Sequence, residues 1–218
     1  MFTNREEAGI LLADKLINYS NAKNTVIASI PRGGVPVGFE IAKKLNLPLE
    51  IVLSKKIGHP FNKEYAIGAV TLKSRIINDS VPGISKVYIE EETNKIRKLL
   101  NQRYQLFYGD KTPIEFKDKT VIVVDDGIAT GSTLISSIEL IKMQKPSKII
   151  VALPVAPSGS LNKVKTLEGV DLTICLLIPR NFQAVGQFYE EFNQVSDQEV
   201  MELLKKAKNS LNLNYLTH

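Results

Sequence analysis

Two adjacent carboxylates follow an apolar run in the stretch VIVVDDGIATGST, residues 121–133. The apolar residues predict a buried strand that ends at Asp125 and Asp126. A short loop rich in glycines and hydroxyls comes next and leads into a helical pattern. Because charged side chains are rarely buried without a partner, this junction indicates a ligand site.

The loop after the acids has the composition of an anion site. Its backbone N–H groups would lead into a helix N-terminus, which carries partial positive charge. Its hydroxyls add donors, and its glycines let the backbone approach a ligand closely. The residues concerned are Gly127, Ala129, Thr130, Gly131, Ser132 and Thr133.

Two ionised aspartates would repel a phosphate that touched them, so they should face another part of the same ligand. Vicinal ribose hydroxyls are suitable, because hydroxyls donate and carboxylates only accept. The pattern therefore predicts a sugar phosphate, with hydroxyls on Asp125 and Asp126 and the phosphate on the loop. The competing interpretation is an acidic helix N-cap, which explains Asp126 but neither the second acid nor the glycines.

A second candidate motif is IPRGGVP, residues 30–36, at the end of an earlier apolar run. Arg32 offers a forked cation suited to phosphate oxygens, while Gly33 and Gly34 expose their amides. The alternative is an ordinary strand-to-helix turn with a surface arginine. Lys55 and Lys56 end the next apolar run, where one would face the ligand and the other solvent.

The strands and helices that position these motifs alternate along the chain. Apolar, β-branched runs alternate with helical patterns, which is typical of βα units around a parallel sheet. The predicted fold class is α/β: a doubly wound sheet of about five parallel strands flanked by helices, with a small cap (hood) subdomain. Strands are expected at 25–30, 49–54, 120–126, 148–156 and 171–179.

The organisation predicted from these patterns is one domain over residues 1–218, with its core at about 22–180. The N-terminal helix and residues of about 180–196 should form the cap, and a last helix should run over about 197–211. Residues of about 56–66 hold Gly, Pro and Asn without a period, so they are predicted to be a flexible loop.

Composition restricts the function. The formal net charge of +5 is scattered, which suits a small phosphorylated ligand and disfavours nucleic acid. No apolar run reaches the ~18–20 residues of a membrane span, and the lone Cys175 fits a reducing cytoplasm. His59 and His218 are the only histidines, too few for a zinc site. Neither a P-loop nor a G-x-G-x-x-G motif is present.

The motifs resemble those of a known family. VIVVDDGIATGST resembles the segment that binds 5-phosphoribosyl 1-diphosphate (PRPP) in type I phosphoribosyltransferases: an apolar run, two acids and a small-residue loop ending in Thr-Gly-x-Thr. IPRGGVP resembles the diphosphate-binding loop of that family. KKIGHPFNKEYAIGAV and PRNFQAVGQFYEEF resemble segments of a branch that contains PRGG. Together these stretches cover most of residues 25–200.

The resemblance implies an enzyme that joins a nucleobase-like nitrogenous acceptor to ribose 5-phosphate and releases diphosphate from C1 of PRPP. It implies that Asp125 and Asp126 bind the ribose hydroxyls, and that Gly127 with residues 129–133 binds the 5-phosphate. It implies Mg²⁺ as cofactor, held mainly by substrate oxygens, and often a cis non-proline peptide in the PRGG loop. Diphosphate would be bound by Arg32, Gly33, Gly34, Lys55 and Lys56.

The acceptor stays open at this stage. Ala129 stands where 6-oxopurine members of the family carry an aspartate that serves the base as proton partner, which disfavours that substrate. Gly127 stands where a bulky aliphatic residue is more usual, which predicts a looser loop. No catalytic acid or base can be named. Four aromatic residues could wall an acceptor pocket or pack the cap: Phe182, Phe188, Tyr189 and Phe192.

Other functions are compatible with the same motifs. One is a PRPP-sensing regulator without turnover, although no helix-turn-helix pattern accompanies the motifs. Others are a phosphoribosyl hydrolase and a PRPP synthetase-like protein. Of these, the synthetase-like protein would need an additional ATP-binding half. The expected partners are PRPP and a small nitrogenous acceptor, with no membrane; a homodimer stays open.

Overall fold

The computed structural model describes residues 1–78, 81, 83–109 and 112–215, with residues 64 and 212–215 described by backbone alone. Within these residues the chain forms eight β-strands and six α-helices. The strands are β1 (Thr25–Ser29), β2 (Leu49–Ile51), β3 (Lys55–His59), β4 (Asn62–Val70), β5 (Arg75–Ile77), β6 (Thr120–Val124), β7 (Lys148–Val155) and β8 (Leu172–Leu177). The helices are α1 (Arg5–Lys15), α2 (Gly34–Leu45), α3 (Lys86–Tyr108), α4 (Ser132–Lys142), α5 (Ser158–Lys165) and α6 (Asp197–Tyr215), and short 3₁₀ turns lie at Ile17–Tyr19 and Val185–Phe188.

The central sheet has five parallel strands in the order β2-β1-β6-β7-β8. This confirms the predicted doubly wound α/β fold. The chain winds outward from β1 on one side and from β6 on the other, so the strand order reverses between these two neighbours. Ligands of open parallel sheets bind beyond the carboxyl ends of the strands at such a reversal. Both predicted motifs follow these two strands.

The sheet is covered on both faces. Val26 and Ala28 of β1 pack in a cluster with Leu134 of α4, whereas Ile27 packs in a second cluster with Ile41 of α2. Successive residues of a strand point to opposite faces, so each must be apolar when both faces are covered. This explains why the central strands are continuous apolar runs in the sequence.

The prediction of a flexible loop over residues of about 56–66 is wrong, because these residues form strands. β3 and β4 form an antiparallel hairpin there, and β5 adds a third strand. Ile57 and Ile67 are buried in a cluster with residues of α3. A Cβ on Gly58 would approach the Lys63 carbonyl oxygen to 2.5 Å, at an irregularity in the pairing register. Such a bulge interrupts the two-residue period, and the segment therefore lacks a strand pattern.

The second predicted strand is also shorter than expected, because it ends at Ile51 instead of residue 54. At the other end of the chain, α6 begins after Ser196, whose hydroxyl accepts from the Glu199 N–H at 3.1 Å. Its inner face, with Val200 and Leu204, packs on Val35 of α2. No helix formed by the described residues is long and apolar enough to cross a membrane.

The N-terminal segment and the segment after β8 meet in one cluster. Phe2 donates to the Phe188 carbonyl at 2.8 Å and accepts from the Glu190 N–H at 2.8 Å. Its ring contacts that of Tyr189, with centroids 5.3 Å apart. These contacts place the start of α1 beside the carboxyl ends of the central strands.

Candidate functional site

The PRGG turn and the acidic pair lie against each other beyond β1 and β6. A Cβ on Gly34 would lie 2.8 Å from the Val124 carbonyl oxygen and 2.9 Å from the Asp125 Cα. A Cβ on Gly33 would overlap Oδ2 of Asp126. Only glycines allow the two motifs to come this close. The peptide between Pro31 and Arg32 is cis, as the family resemblance implies for this turn.

The two acids are largely removed from water. Asp125 Oδ1 accepts from the Asp126 backbone N–H at 2.9 Å. Burial raises the pKa of Asp125 well above its ordinary value, and the neighbouring charge of Asp126 raises it further. Burial also raises the pKa of Asp126, while the Arg5 guanidinium acts in the opposite direction. The pair therefore depends on a nearby cation if both carboxyls are to be ionised.

Arg5 is that cation, and it is not among the site residues predicted from the sequence. Its Nε and Nη2 each lie 2.8 Å from Oδ2 of Asp126. Its Nη1 donates to the Asn193 carbonyl at 2.8 Å, and its guanidinium lies 3.8 Å from the centre of the Phe192 ring. Arg5 is the first residue of α1, where the helix dipole disfavours a cation. That unfavourable placement was the one signal in the sequence that Arg5 has a partner elsewhere.

A cavity of about 400 Å³ opens between the PRGG turn and the cap, within the usual ~300–1,000 Å³ of small-molecule sites. Three of the predicted site residues line it, namely Arg32, Gly33 and Asp126. The remaining lining consists of Arg5 and residues 192–195.

Lys55 and Lys56 do not line this cavity. They begin β3 instead of ending the second strand, with Lys55 exposed and Lys56 half-buried. Arg32 is better placed. Its Nη1 lies 3.9 Å from Oδ1 of Asp197, and both side chains are about a third exposed, at 32% and 39%. A pair this long and this exposed contributes little stability, so Asp197 holds the Arg32 guanidinium only weakly.

The predicted phosphate loop leads into α4. Gly131 has φ +77° and directly precedes the helix. Oγ of Ser132 and Oγ1 of Thr130 lie 3.1 Å apart, and Thr130 is exposed. The Ala129 carbonyl is held by the Ser160 hydroxyl at 2.5 Å. The loop thus presents hydroxyls at an exposed helix N-terminus, the arrangement that favours an anion.

The looser loop expected from Gly127 is not found. Gly127 has φ +146°, and a Cβ there would lie 2.7 Å from Cγ1 of Val185 and 2.8 Å from Cγ1 of Val155. The following residue, Ile128, is buried. The glycine is therefore required by close packing between β7 and the cap.

The four aromatic residues divide into two roles. Phe182 and Phe188 stack with centroids 5.4 Å apart, and Tyr189 is buried; these three pack the cap. The Tyr189 hydroxyl donates to the Asp126 carbonyl at 2.6 Å. Of the four, Phe192 alone lines the cavity; its ring stacks with that of Tyr189 (centroids 5.0 Å apart) and is also contacted by the Arg5 guanidinium.

The residues do not fit a metal site built by the protein. In the described ranges, no group of three or more His, Cys, Asp or Glu side chains could hold a metal ion. Oδ2 of Asp126 is committed to Arg5, and Oδ1 of Asp125 accepts from the backbone. In proteins, Mg²⁺ is often bound by only one or two carboxylates together with phosphate oxygens and water.

Comparison with known proteins identifies the family. Residues 3–174 match the family model of the phosphoribosyl transferase domain. The chain belongs to this family, and the resemblance to type I phosphoribosyltransferases is confirmed.

Three similar proteins extend this result. A Mycobacterium tuberculosis protein named "Putative phosphoribosyl transferase" is 34% identical over 211 residues, which are 95% of this chain and 47% of that protein. The chain thus spans about half the length of the curated relatives it matches. A crystal structure of a Thermus thermophilus protein shares 31% identity with a TM-score of 0.81, over 94% of this chain and 98% of that one. The uracil phosphoribosyltransferase of Mycoplasma genitalium is 43% identical over 62 residues, 28% of this chain and 30% of that protein.

Proposed function

We propose that the protein is a PRPP-dependent phosphoribosyltransferase, which joins a nucleobase-like nitrogenous acceptor to ribose 5-phosphate and releases diphosphate. The contact of Gly33 and Gly34 with Asp126 and Asp125 supports this proposal most directly. It brings an arginine-containing anion turn beside two hydroxyl acceptors at the strand-order reversal. A ligand with a diphosphate, a diol and a second phosphate matches these features.

Each part of PRPP has a proposed partner. Asp125 and Asp126 accept from the ribose hydroxyls, and the loop at 129–133 with Gly127 receives the 5-phosphate at the start of α4. Arg32 and the amides of Gly33 and Gly34 bind diphosphate. Lys55 and Lys56, at the base of the β3–β4 hairpin, supply further positive charge from outside the cavity.

The proposed mechanism is mainly electrostatic. Cleavage at C1 passes through an oxocarbenium-like state, in which negative charge moves onto the leaving diphosphate. Arg32 stabilises that charge, while the two aspartates hold the ribose so that an acceptor nitrogen can approach in line. Mg²⁺ is proposed to bind to the phosphate oxygens of the substrate and not directly to protein side chains. Ala129 has no proton to exchange, so base activation by that position is not part of the mechanism.

A calorimetric titration with PRPP and Mg²⁺ tests the binding half of the proposal. We expect binding by the parent protein and a loss of at least tenfold in Asp125→Asn and Asp126→Asn. Asp14→Asn is the matched control, because Asp14 is exposed and pairs with Lys44 away from the cavity. Absence of PRPP binding at millimolar concentration would contradict the proposal.

A screen of nitrogenous bases for diphosphate release tests the catalytic half and can identify the acceptor. Release that depends on one base supports a transferase. Release with water alone supports a hydrolase. PRPP binding without release for any base supports the alternative function, a PRPP-sensing binding protein that does not turn over.

A further inference from the structure

We propose that Arg5 is a positioning residue for the PRPP donor, because it fixes the carboxylate of Asp126 and joins that carboxylate to the cap segment 192–193. This inference rests on the proposed function and adds to it a residue outside the two sequence motifs. Arg5 belongs to α1, whose other residues do not line the cavity.

Arg5 contacts only one of the two oxygens of the Asp126 carboxylate. Both guanidinium contacts to Asp126, at 2.8 Å, go to the same oxygen, Oδ2. Oδ1 lies outside this pair, so the orientation of the carboxylate is fixed without using its second oxygen. Held this way, Asp126 can accept from a ribose hydroxyl in a preset direction, which reduces the ordering required on binding.

Asp126 requires a positively charged partner such as Arg5, because its carboxylate is buried beside a second acid. The side chains of Arg5 and Asp126 are only 12% and 14% exposed, and Asp125 is adjacent. The charged and titratable groups that face Asp126 are Arg5, Asp125 and the Tyr189 hydroxyl, with Arg32 across the cavity. Without Arg5, burial and the second acid would favour protonation, and a protonated carboxyl is a poorer acceptor for a hydroxyl.

Arg5 is itself held in place. Asn4 caps α1 by accepting from the Glu7 N–H at 3.0 Å. The preceding residues pair with the cap, since the Glu191 N–H donates to the Thr3 carbonyl at 2.9 Å. The remaining contacts of the guanidinium, with the Asn193 carbonyl and the Phe192 ring, belong to the same cap segment. Arg5 therefore connects Asp126, which is proposed to bind the ribose, to residues 192 and 193 of the cap, which line the cavity.

The test is PRPP affinity by calorimetry between pH 5.5 and 8.5 for the parent protein, Arg5→Gln and Arg5→Lys. Lys15→Gln is the control, since Lys15 is an exposed cation of the same helix. We expect Arg5→Gln to bind PRPP at least tenfold more weakly, with a loss that deepens toward acid pH. We expect Arg5→Lys to bind PRPP more tightly than Arg5→Gln but more weakly than the parent. Its affinity should also depend less on pH than that of Arg5→Gln, because lysine keeps the positive charge but lacks the guanidinium that makes two contacts with Asp126. Lys15→Gln should bind as the parent does.

The outcomes separate two failures. If the parent protein binds no PRPP, the proposed function falls and this inference falls with it. If the parent binds and both Arg5 variants match it in affinity and pH profile, the inference alone is overturned. A variant that merely loses stability would show a lower melting temperature with an unchanged pH profile, which also overturns it. If Arg5→Gln does not fold, Arg5→Lys still decides: weaker PRPP binding than the parent at an unchanged melting temperature supports the inference, and affinity equal to that of the parent overturns it.

Discussion

Gly33 lies so close to Asp126 that a Cβ on the glycine would overlap the carboxylate oxygen Oδ2. That oxygen is also the one held by Arg5. The PRGG turn, the acidic pair and the N-terminal helix therefore share a single point of contact. A substitution at Gly33 should therefore disturb the turn, the acidic pair and the start of α1 together.

We expect Gly33→Ala to weaken PRPP binding by at least tenfold, because the new methyl group must displace the carboxylate or the turn. Overpacking of this kind destabilises by about 1–3 kcal/mol, so the urea midpoint should fall as well. Gly159→Ala is the control, since a Cβ at Gly159 meets nothing within 4 Å. Unchanged affinity in Gly33→Ala would mean that the two motifs do not form one site.

Gly127→Ala should destabilise the protein through two causes, a positive φ and contact with Val155 and Val185. We expect a loss of about 2–4 kcal/mol in the free energy of unfolding, measured by urea denaturation. Gly109→Ala separates the causes, because Gly109 has φ +55° with open space around it. If both variants lose the same free energy, packing at Gly127 contributes nothing.

Asp125→Asn should weaken PRPP binding and yet stabilise the protein at alkaline pH. The raised pKa of Asp125 means that the folded chain resists its ionisation. The stability associated with the protonated form is present at low pH and is lost as pH rises through the folded pKa. We expect the variant to melt roughly 2–4 °C above the parent at pH 8.5, with a smaller difference at pH 5. The reverse order would show that Asp125 is ionised without penalty.

Glu50 provides a second pH dependence, away from the site. Its buried carboxyl accepts from the Ile114 N–H at 2.7 Å and the Ile51 N–H at 3.0 Å. Burial raises its pKa from 4.5 to about 7. The folded chain therefore keeps this proton at a pH where the unfolded chain has lost it. The resulting stability is full below pH 4.5 and is lost as pH rises through 7.

We expect the free energy of unfolding of the parent, relative to Glu50→Gln, to fall by up to about 3 kcal/mol between pH 5 and 8.5. Urea denaturation at several pH values measures this difference, and the comparison cancels the titration of other groups. Parallel curves for the two proteins would show that Glu50 titrates normally.

Much of the fold could be predicted because the central strands are buried on both faces. Val26, Ile27 and Ala28 are consecutive and all buried, so the strand is visible as an apolar run. β3 and the first part of β4 could not be recognised in this way. Gly58 breaks their pairing register, and the side chain of Phe61 is 93% exposed between them, so neither period nor polarity resembles a strand.

The candidate site could be proposed from the sequence where its residues are adjacent, as Asp125 and Asp126 are. Arg5 could not, because a cation on an amphipathic helix is ordinarily a solvated surface residue. Only the folded chain shows that it meets Asp126. Gly127 was misjudged for a related reason: its neighbours, Val155 and Val185, come from distant segments whose proximity no local pattern records.

The pairing of Phe2 with Tyr189 has a consequence for synthesis on the ribosome. Residues 2–5 leave the ribosome well before residues 188–193, their partners in the cap. At roughly 5–20 residues per second, about 10–40 s separate the two events. During that interval Arg5 lacks its contacts with the Asn193 carbonyl and the Phe192 ring. The growing chain would therefore form its parallel sheet before residues 192–195 complete the lining of the cavity.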